Sequence, residues 1–420
     1  MAGSDSQGWF HSRLLKYLTR FDIKMNQNRR KLITTIGAIS AGQLFIDEHI
    51  HADSNPSGLV VDRSSTIRIK SLKATPVGPK VFLKMETNHG ITGWGEIDQL
   101  EPKVAAALAT SLFELLDGEN PTRIEYLWQK LFRAHRNIRG GPFMIHTIAG
   151  IDMALWDITG KLWNTPVYRI LGGPCRDKIL VYPSIRATKP GAGPAEFSGT
   201  PSELQRYVDY IQAERKKVGP KGIVIFDAHC ALPPPFLIQL ANMLNPTDVS
   251  FIEEIAVPGN IEVFKRIKQA VKIPLASGER DRTIYEFLPY LQEKCLDVLQ
   301  PDCAHCGGIT QMVKISTLAE LYLTPLAPHA VTTELGISAS LHASAIAPFF
   351  IIHEYYPQIT PDGLIRKNWS VDKDGYASLP QGPGLGIEID EQKLEELAKR
   401  PHKPEWPTRG RLKDGSIADY

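Results

Sequence analysis

Asp227, Glu253, Glu279, Asp302 and His329 follow one another at intervals of 26, 26, 23 and 27 residues. Each ends an apolar run: Ile223-Val224-Ile225-Phe226, Val249-Ser250-Phe251-Ile252, Ile273-Pro274-Leu275-Ala276-Ser277-Gly278, Leu296-Asp297-Val298-Leu299-Gln300-Pro301 and Leu323-Thr324-Pro325-Leu326-Ala327-Pro328. Three carboxylates brought to one place make a site for a hard cation, and all-oxygen ligation favours Mg2+ over zinc or copper. An acid after a strand can instead cap the following helix. Three acids in register, followed by a fourth acid and a histidine in the same register, argue for a catalytic face.

The interval is the length of one strand-loop-helix-loop unit of a parallel βα barrel, whose strand ends converge on one mouth. Alternating apolar strands and amphipathic helices run from just after Gly172-Gly173 to about Glu354, which places the barrel at 176–354. Ahead of it, 65–175 reads as an α+β cap. Thr66-Ile67-Arg68-Ile69, Val81 to Glu86 and Ile91 to Glu96 predict a three-stranded antiparallel meander, and helices are predicted over Pro102 to Leu116, Arg123 to Ala134 and Phe143 to Leu162. The tail, 355–420, is too irregular for another βα unit and is expected to pack back on the cap.

The chain has 420 residues, 43% hydrophobic and 22% charged, and a net charge of +2 from 48 basic and 46 acidic side chains. Such a balance carries neither a nucleic-acid footprint nor a membrane-surface stripe, so the expected partner is a small molecule. Five cysteines in a large domain argue against a disulfide framework. Cys303 and Cys306 flank His305 in a C-x-x-C, but without a second pair this is a weak zinc or redox signal. Near the start, Asn28-Arg29-Arg30-Lys31-Leu32-Ile33 precedes a mildly apolar stretch to Gly42, which resembles a twin-arginine export signal with Met25 as the start. The alternative is a basic leader without a targeting role in a cytoplasmic protein. Residues 43–64 read as linker; leader and linker together make up 1–64.

The ordered motifs Gly93-Trp94-Gly95-Glu96, Arg139-Gly140-Gly141-Pro142, Ala149 to Ile158, Leu171-Gly172-Gly173-Pro174, Asp227-Ala228-His229, Phe251-Ile252-Glu253-Glu254, Gly278-Glu279-Arg280, Gln300-Pro301-Asp302, Ala327-Pro328-His329 and Pro383-Gly384-Leu385-Gly386 resemble the enolase superfamily, mandelate racemase branch, over about 65–420. The resemblance implies a modified TIM barrel with an α+β capping domain. It implies Mg2+ ligands at Asp227, Glu253 and Glu279, and a base dyad in which Asp302 orients His329 and raises its basicity. It also implies at Glu354 the family's acid at the end of the last strand, a catalytic and substrate-binding residue that helps hold the substrate carboxylate, a substrate contact at Gln300, and at His229 the histidine that the branch's dehydratases add two residues after the first ligand. The pairing of a Lys or His base with one or two Mg2+ ions is the superfamily's known pattern rather than an inference from these residues. The implied reaction is dehydration of a sugar acid, D-galactonate or a close aldonate, by an even-numbered homo-oligomer. If strand alternation persists past Asp227, His229 faces the mouth beside it.

Three departures stand out. Between the first strand, Ile179 to Tyr182, and Asp227 there is one helical pattern and no recognisable second strand, where family members often carry a lysine or polar substrate contact. Pro190 to Gly199 reads as loop. The barrel is therefore expected to lack one βα unit. Ile255 follows Glu253-Glu254 where proline is usual, and the cap loop Thr75 to Lys80 is short. Two further readings remain open: a racemase or epimerase using the same dyad, and a sugar-acid-binding relative impaired by the missing strand.

Overall fold

A computed structural model of the chain describes residues 65–137, 139–182 and 200–402. The leader, the linker, the loop Pro190 to Gly199 and the end of the tail lie outside the described residues.

The meander forms as β1 (Ile69–Val77), β2 (Lys80–Thr87) and β3 (Thr92–Ile97), antiparallel in that order. Thr75 to Lys80, expected as a loop, is mostly strand. The chain reverses at Gly78-Pro79, with Gly78 at φ 57°, a left-handed conformation that glycine adopts without strain. Helices α1 (Pro102–Leu112), α2 (Ile124–Ala134) and α3 (Pro142–Leu162) follow, and α1 and α3 open on prolines, whose missing N–H costs nothing in a first turn.

After the short α4 (Val167–Ile170) come β4 (Lys178–Tyr182), α5 (Pro201–Val218), β5 (Ile225–Asp227), α6 (Pro234–Met243), β6 (Phe251–Glu253) and α7 (Ile261–Ala270). The alternation continues through β7 (Ala276–Ser277), α8 (Thr283–Gln292), β8 (Val298–Leu299), α9 (Gly308–Leu321), α10 (Glu334–Ile346) and β9 (His353–Glu354). Parallel pairs β5·β6, β7·β8 and β4·β9 are joined by bridges Ile252 to Leu275, Leu299 to Leu326 and Leu326 to Phe350, so the wall runs unbroken from β5 round to β4. Between β4 and β5 the described residues hold only α5; residues 183–199, part of that interval, lie outside them.

The tail divides its packing. Strand β10 (Ile365–Lys367) pairs with β12 (Ile387–Ile389), β11 (Tyr376–Ser378) pairs antiparallel with β4 of the barrel, and α11 (Glu391–Ala398) lies against β1 of the cap. Asp157 ties three parts together, accepting the N–H groups of Trp94 at 3.0 Å and Leu385 at 2.9 Å and pairing with Lys161 at 2.6 Å. The Trp-Asp pair of α3 and the Pro-Gly-Leu-Gly of the tail are thus one structural device.

Helix α3 is buried on nearly every face because it lies between the cap sheet and α9. The close approach needs glycine on both sides: a β-carbon on Gly95 would run into the Gly150 carbonyl, and one on Gly93 into that of Ala154. Backbone cannot rotate away as a side chain can. Gly95→Ala is therefore expected to destabilise the protein by at least about 1–3 kcal/mol, the usual cost of overpacking. A lowered urea midpoint checks this; an unchanged one contradicts the packing described.

Candidate active site

The barrel interior explains why the site residues meet. Ile225, Phe251, Ala276, Val298, Ala327 and Ile352 form one buried cluster with Tyr182, one residue from each strand position. Side chains two apart on a strand share a face. Asp227, Glu253, Gln300, His329 and Glu354 each stand two residues beyond a member of that cluster, so all five rise into the next layer, at the C-terminal mouth. Glu279 stands three beyond Ala276, past Gly278 at φ 137°.

The dyad forms. His329 Nδ1 donates to Asp302 Oδ2 at 2.6 Å, and Ala304 N–H holds the other Asp302 oxygen, also at 2.6 Å. His329 Nε2 therefore faces the mouth, 3.5 Å from Glu354 and 3.7 Å from Glu279. Burial alone would lower the His329 pKa, but Glu279, Glu354 and the Asp302 hydrogen bond outweigh it and hold the ring well above its ordinary value. Asp302, which burial would raise, is held well below the carboxylate range by the His305 and His329 imidazoles and by its hydrogen bonds.

Of the three expected ligands, Asp227 and Glu253 are register partners on β5 and β6, and Glu279 lies within reach of their charges. Burial, then the Glu254 charge, pushes Asp227 up to about 7. Burial followed by Asp227 and Glu354 raises Glu253 well above its usual range, and burial raises Glu279 against the opposing pull of His329. A cluster of buried acids that repel one another is a donor set suited to a hard divalent cation. The trio is nevertheless more open than two neighbouring groups, Asp227 with His229 and Glu254, and Asp302 with His305 and His329, in each of which the ligand atoms lie within 4.8 Å of one another. Glu253 Oε2 accepts from Gln300 Nε2 at 2.5 Å and from the Tyr182 hydroxyl at 3.5 Å. Gln300 is buried, and its Oε1 has no hydrogen-bond partner among the described residues.

His229 comes beside Asp227 by a different route from strand alternation. Strand β5 ends at Asp227, and His229 and Cys230 take left-handed backbone conformations, φ 49° and 55°. The turn is pinned by His229 N–H on Asp227 Oδ1 at 2.7 Å, and the ring lies 3.7 Å from Glu254. Glu254, itself at φ 50°, forms an ion pair with Arg280. Burial would raise Glu254, but the Arg280 hydrogen bond and charge reverse the shift and lower it. Non-glycine residues in this region are uncommon, and three beside one cluster mark a site whose geometry the surroundings impose.

Sequence reasoning missed the Glu254–Arg280 pair and the place of His305. Both were visible only as neighbours of motif residues, and nothing in their spacing shows which way they turn. The five cysteines are free, and burial pushes the Cys303 and Cys306 thiols well above their usual range. Thiols this buried and this hard to ionise are poor nucleophiles.

Residues 183–393 match the family model described as enolase C-terminal domain-like, and residues 64–172 match the mandelate racemase / muconate lactonizing enzyme N-terminal domain. D-galactonate dehydratase of Xanthomonas axonopodis pv. citri is 34% identical over 388 residues, covering 84% of this chain and 100% of that protein. The enzyme of the same name from Variovorax paradoxus is 32% identical over 386 residues, with the same coverage of 84% and 100%. Among solved structures, an enolase from Agrobacterium radiobacter bound to Na and L-malate is similar at a TM-score of 0.76 and 30% identity, covering 84% of this chain and 99% of that one. The 3,6-anhydro-D-galactonate cycloisomerase of Zobellia galactanivorans is similar at a TM-score of 0.71 and 28% identity, covering 79% and 99%.

Proposed function

This chain belongs to the mandelate racemase / muconate lactonizing enzyme family of the enolase superfamily, and we propose that it is a Mg2+-dependent dehydratase of a sugar acid, D-galactonate or a close aldonate. The observation that carries the reading is the 2.6 Å bond between Asp302 and His329, with His329 Nε2 turned to the acidic mouth and a second imidazole, His229, beside Asp227 and Glu254.

Proton removal next to a carboxylate builds a second negative charge on that group, and a divalent cation held by Asp227, Glu253 and Glu279 would offset it. His329 Nε2 takes the proton from C2, while Asp302 stabilises the imidazolium that results. His229 gives a proton to the hydroxyl on C3, which departs as water. The enol left behind takes a solvent proton at C3, gives up the proton of its C2 hydroxyl to solvent, and becomes the 2-dehydro-3-deoxy acid. Glu354 and the open Oε1 of Gln300 offer acceptors to the substrate's hydroxyl groups, and Gln300 also fixes Glu253.

The second reading is epimerisation by the same dyad. A fold shared with a cycloisomerase does not itself choose the reaction. The second imidazole favours dehydration, because an epimerase expels no hydroxyl. A panel of aldonates incubated with Mg2+ and assayed for keto-acid is the test. Keto-acid from D-galactonate or a near stereoisomer is expected; no turnover of any acid sugar would overturn the proposal, and inversion at C2 without keto-acid would establish the epimerase.

A further inference from the structure

His305 stands at the junction of three parts of the site, yet none of the chemistry above uses it. Its Nδ1 donates to the main-chain carbonyl of Glu279 at 2.9 Å, which holds the backbone that carries one of the acids. The same nitrogen lies 3.8 Å from Asp302 Oδ2, the oxygen that His329 engages. Its ring is 5.9 Å from that of His329, centre to centre. On the cap side the ring of His146, from the middle of α3's N-terminal half, stacks on it at 4.4 Å and 14°. His146 is in turn fixed by the Asp98 carbonyl at 3.0 Å, beyond the end of β3. Both rings are buried.

These contacts form a continuous route from the cap sheet to the base. We propose that His305, stacked under His146, is a positioning residue that fixes the Glu279 backbone and the Asp302 carboxylate, so that docking of the cap sets the aim of His329. The inference rests on the dehydratase reading. Asp302 is held along its own loop by Ala304 and at its tip by His329; His305 closes the side on which the carboxylate would otherwise turn. A ring committed to a carbonyl and pressed by a second ring has little freedom to yield, which is how residues outside direct substrate contact keep reacting groups in place.

Two substitutions separate the ring's roles. Asparagine places its amide nitrogen where Nδ1 stands, so His305→Asn keeps the donor to Glu279; phenylalanine keeps the stacked ring and loses the donor. With an aldonate that the wild-type protein dehydrates, His305→Phe is expected to lower kcat about 10–100-fold with KM changed little, the range seen when partners of active-site ligands are removed. His305→Asn, which keeps the donor and loses the stack, should be less impaired than His305→Phe, with a loss no greater than about the 10-fold expected when the stack alone is removed. If His305→Phe does not fold, His146→Ala, which removes the cap ring and keeps every barrel contact of His305, should lower kcat about 10-fold with KM unchanged. Wild-type kcat in His305→Phe or, failing that, in His146→Ala would overturn the inference, as would asparagine and phenylalanine variants impaired alike with equally lowered melting temperatures. Failure of the wild-type protein itself to turn over any aldonate would instead count against the dehydratase reading.

Discussion

His329→Asn is expected to abolish proton exchange at the carbon next to the substrate carboxylate, by at least about a thousand-fold, while leaving metal affinity nearly intact. The asparagine amide can stand where Nδ1 stands and keep the 2.6 Å donation to Asp302, so the buried carboxylate is not orphaned. What disappears is Nε2, the atom turned toward Glu279 and Glu354 at the mouth. The metal-affinity arm of the prediction separates loss of the base from collapse of the site. Exchange that persists in the variant would show that another group takes the proton.

The second large effect concerns the cation. Without it, Asp227, Glu253 and Glu279 keep their protons more tightly in the folded chain than in the unfolded one. Each raised pKa favours the folded state at low pH, and that contribution is lost as pH rises from the ordinary carboxylate range, 3.8 for aspartate, through the folded value, about 7 for Asp227. Metal-free protein should therefore lose stability between about pH 4 and 7 from this cluster. Added Mg2+ should restore it, since a ligand bound only by the folded state stabilises by mass action, by about 2.7 kcal/mol at a hundredfold excess over Kd. Glu253→Gln removes one of the repelling charges and keeps an oxygen that can accept from Gln300. The variant should be more stable than wild type in chelator at pH 7 and should gain almost nothing from Mg2+. Thermal melts with and without Mg2+ check both arms; equal Mg2+ stabilisation of the two proteins would remove Glu253 from the ligand set.

The site's outline was legible because barrels turn a linear interval into a spatial one. Residues at the ends of successive strands must meet, so Asp302 and His329, 27 residues apart, could be paired from spacing and resemblance before their 2.6 Å bond was seen. The cap was legible for a similar reason, its alternating strands and proline-started helices carrying their own local signals. The turn after β5 was not. His229 and Glu254 adopt left-handed backbones that no glycine announces, and the directions of their side chains are set by contacts with residues 25 or more positions away. Glu254 illustrates the point: next to Glu253 in sequence, it turns to Arg280 and His229 while Glu253 turns to Gln300 and Tyr182. Strand lengths were equally hidden, since several barrel strands pair over only two or three residues. His305 was read only as the centre of a cysteine pair, whereas its stacking on His146 spans 159 positions of sequence.

The most direct test of three acids, one cation and one imidazole acting together is D-galactonate incubated with the protein and Mg2+ in deuterated water and followed by NMR. The account predicts that the sugar acid is consumed only when Mg2+ is present, giving a 2-dehydro-3-deoxy acid with one solvent deuteron at C3. Deuterium appearing at C2 with no keto-acid formed, or an aldonate left untouched with Mg2+ bound, would contradict it.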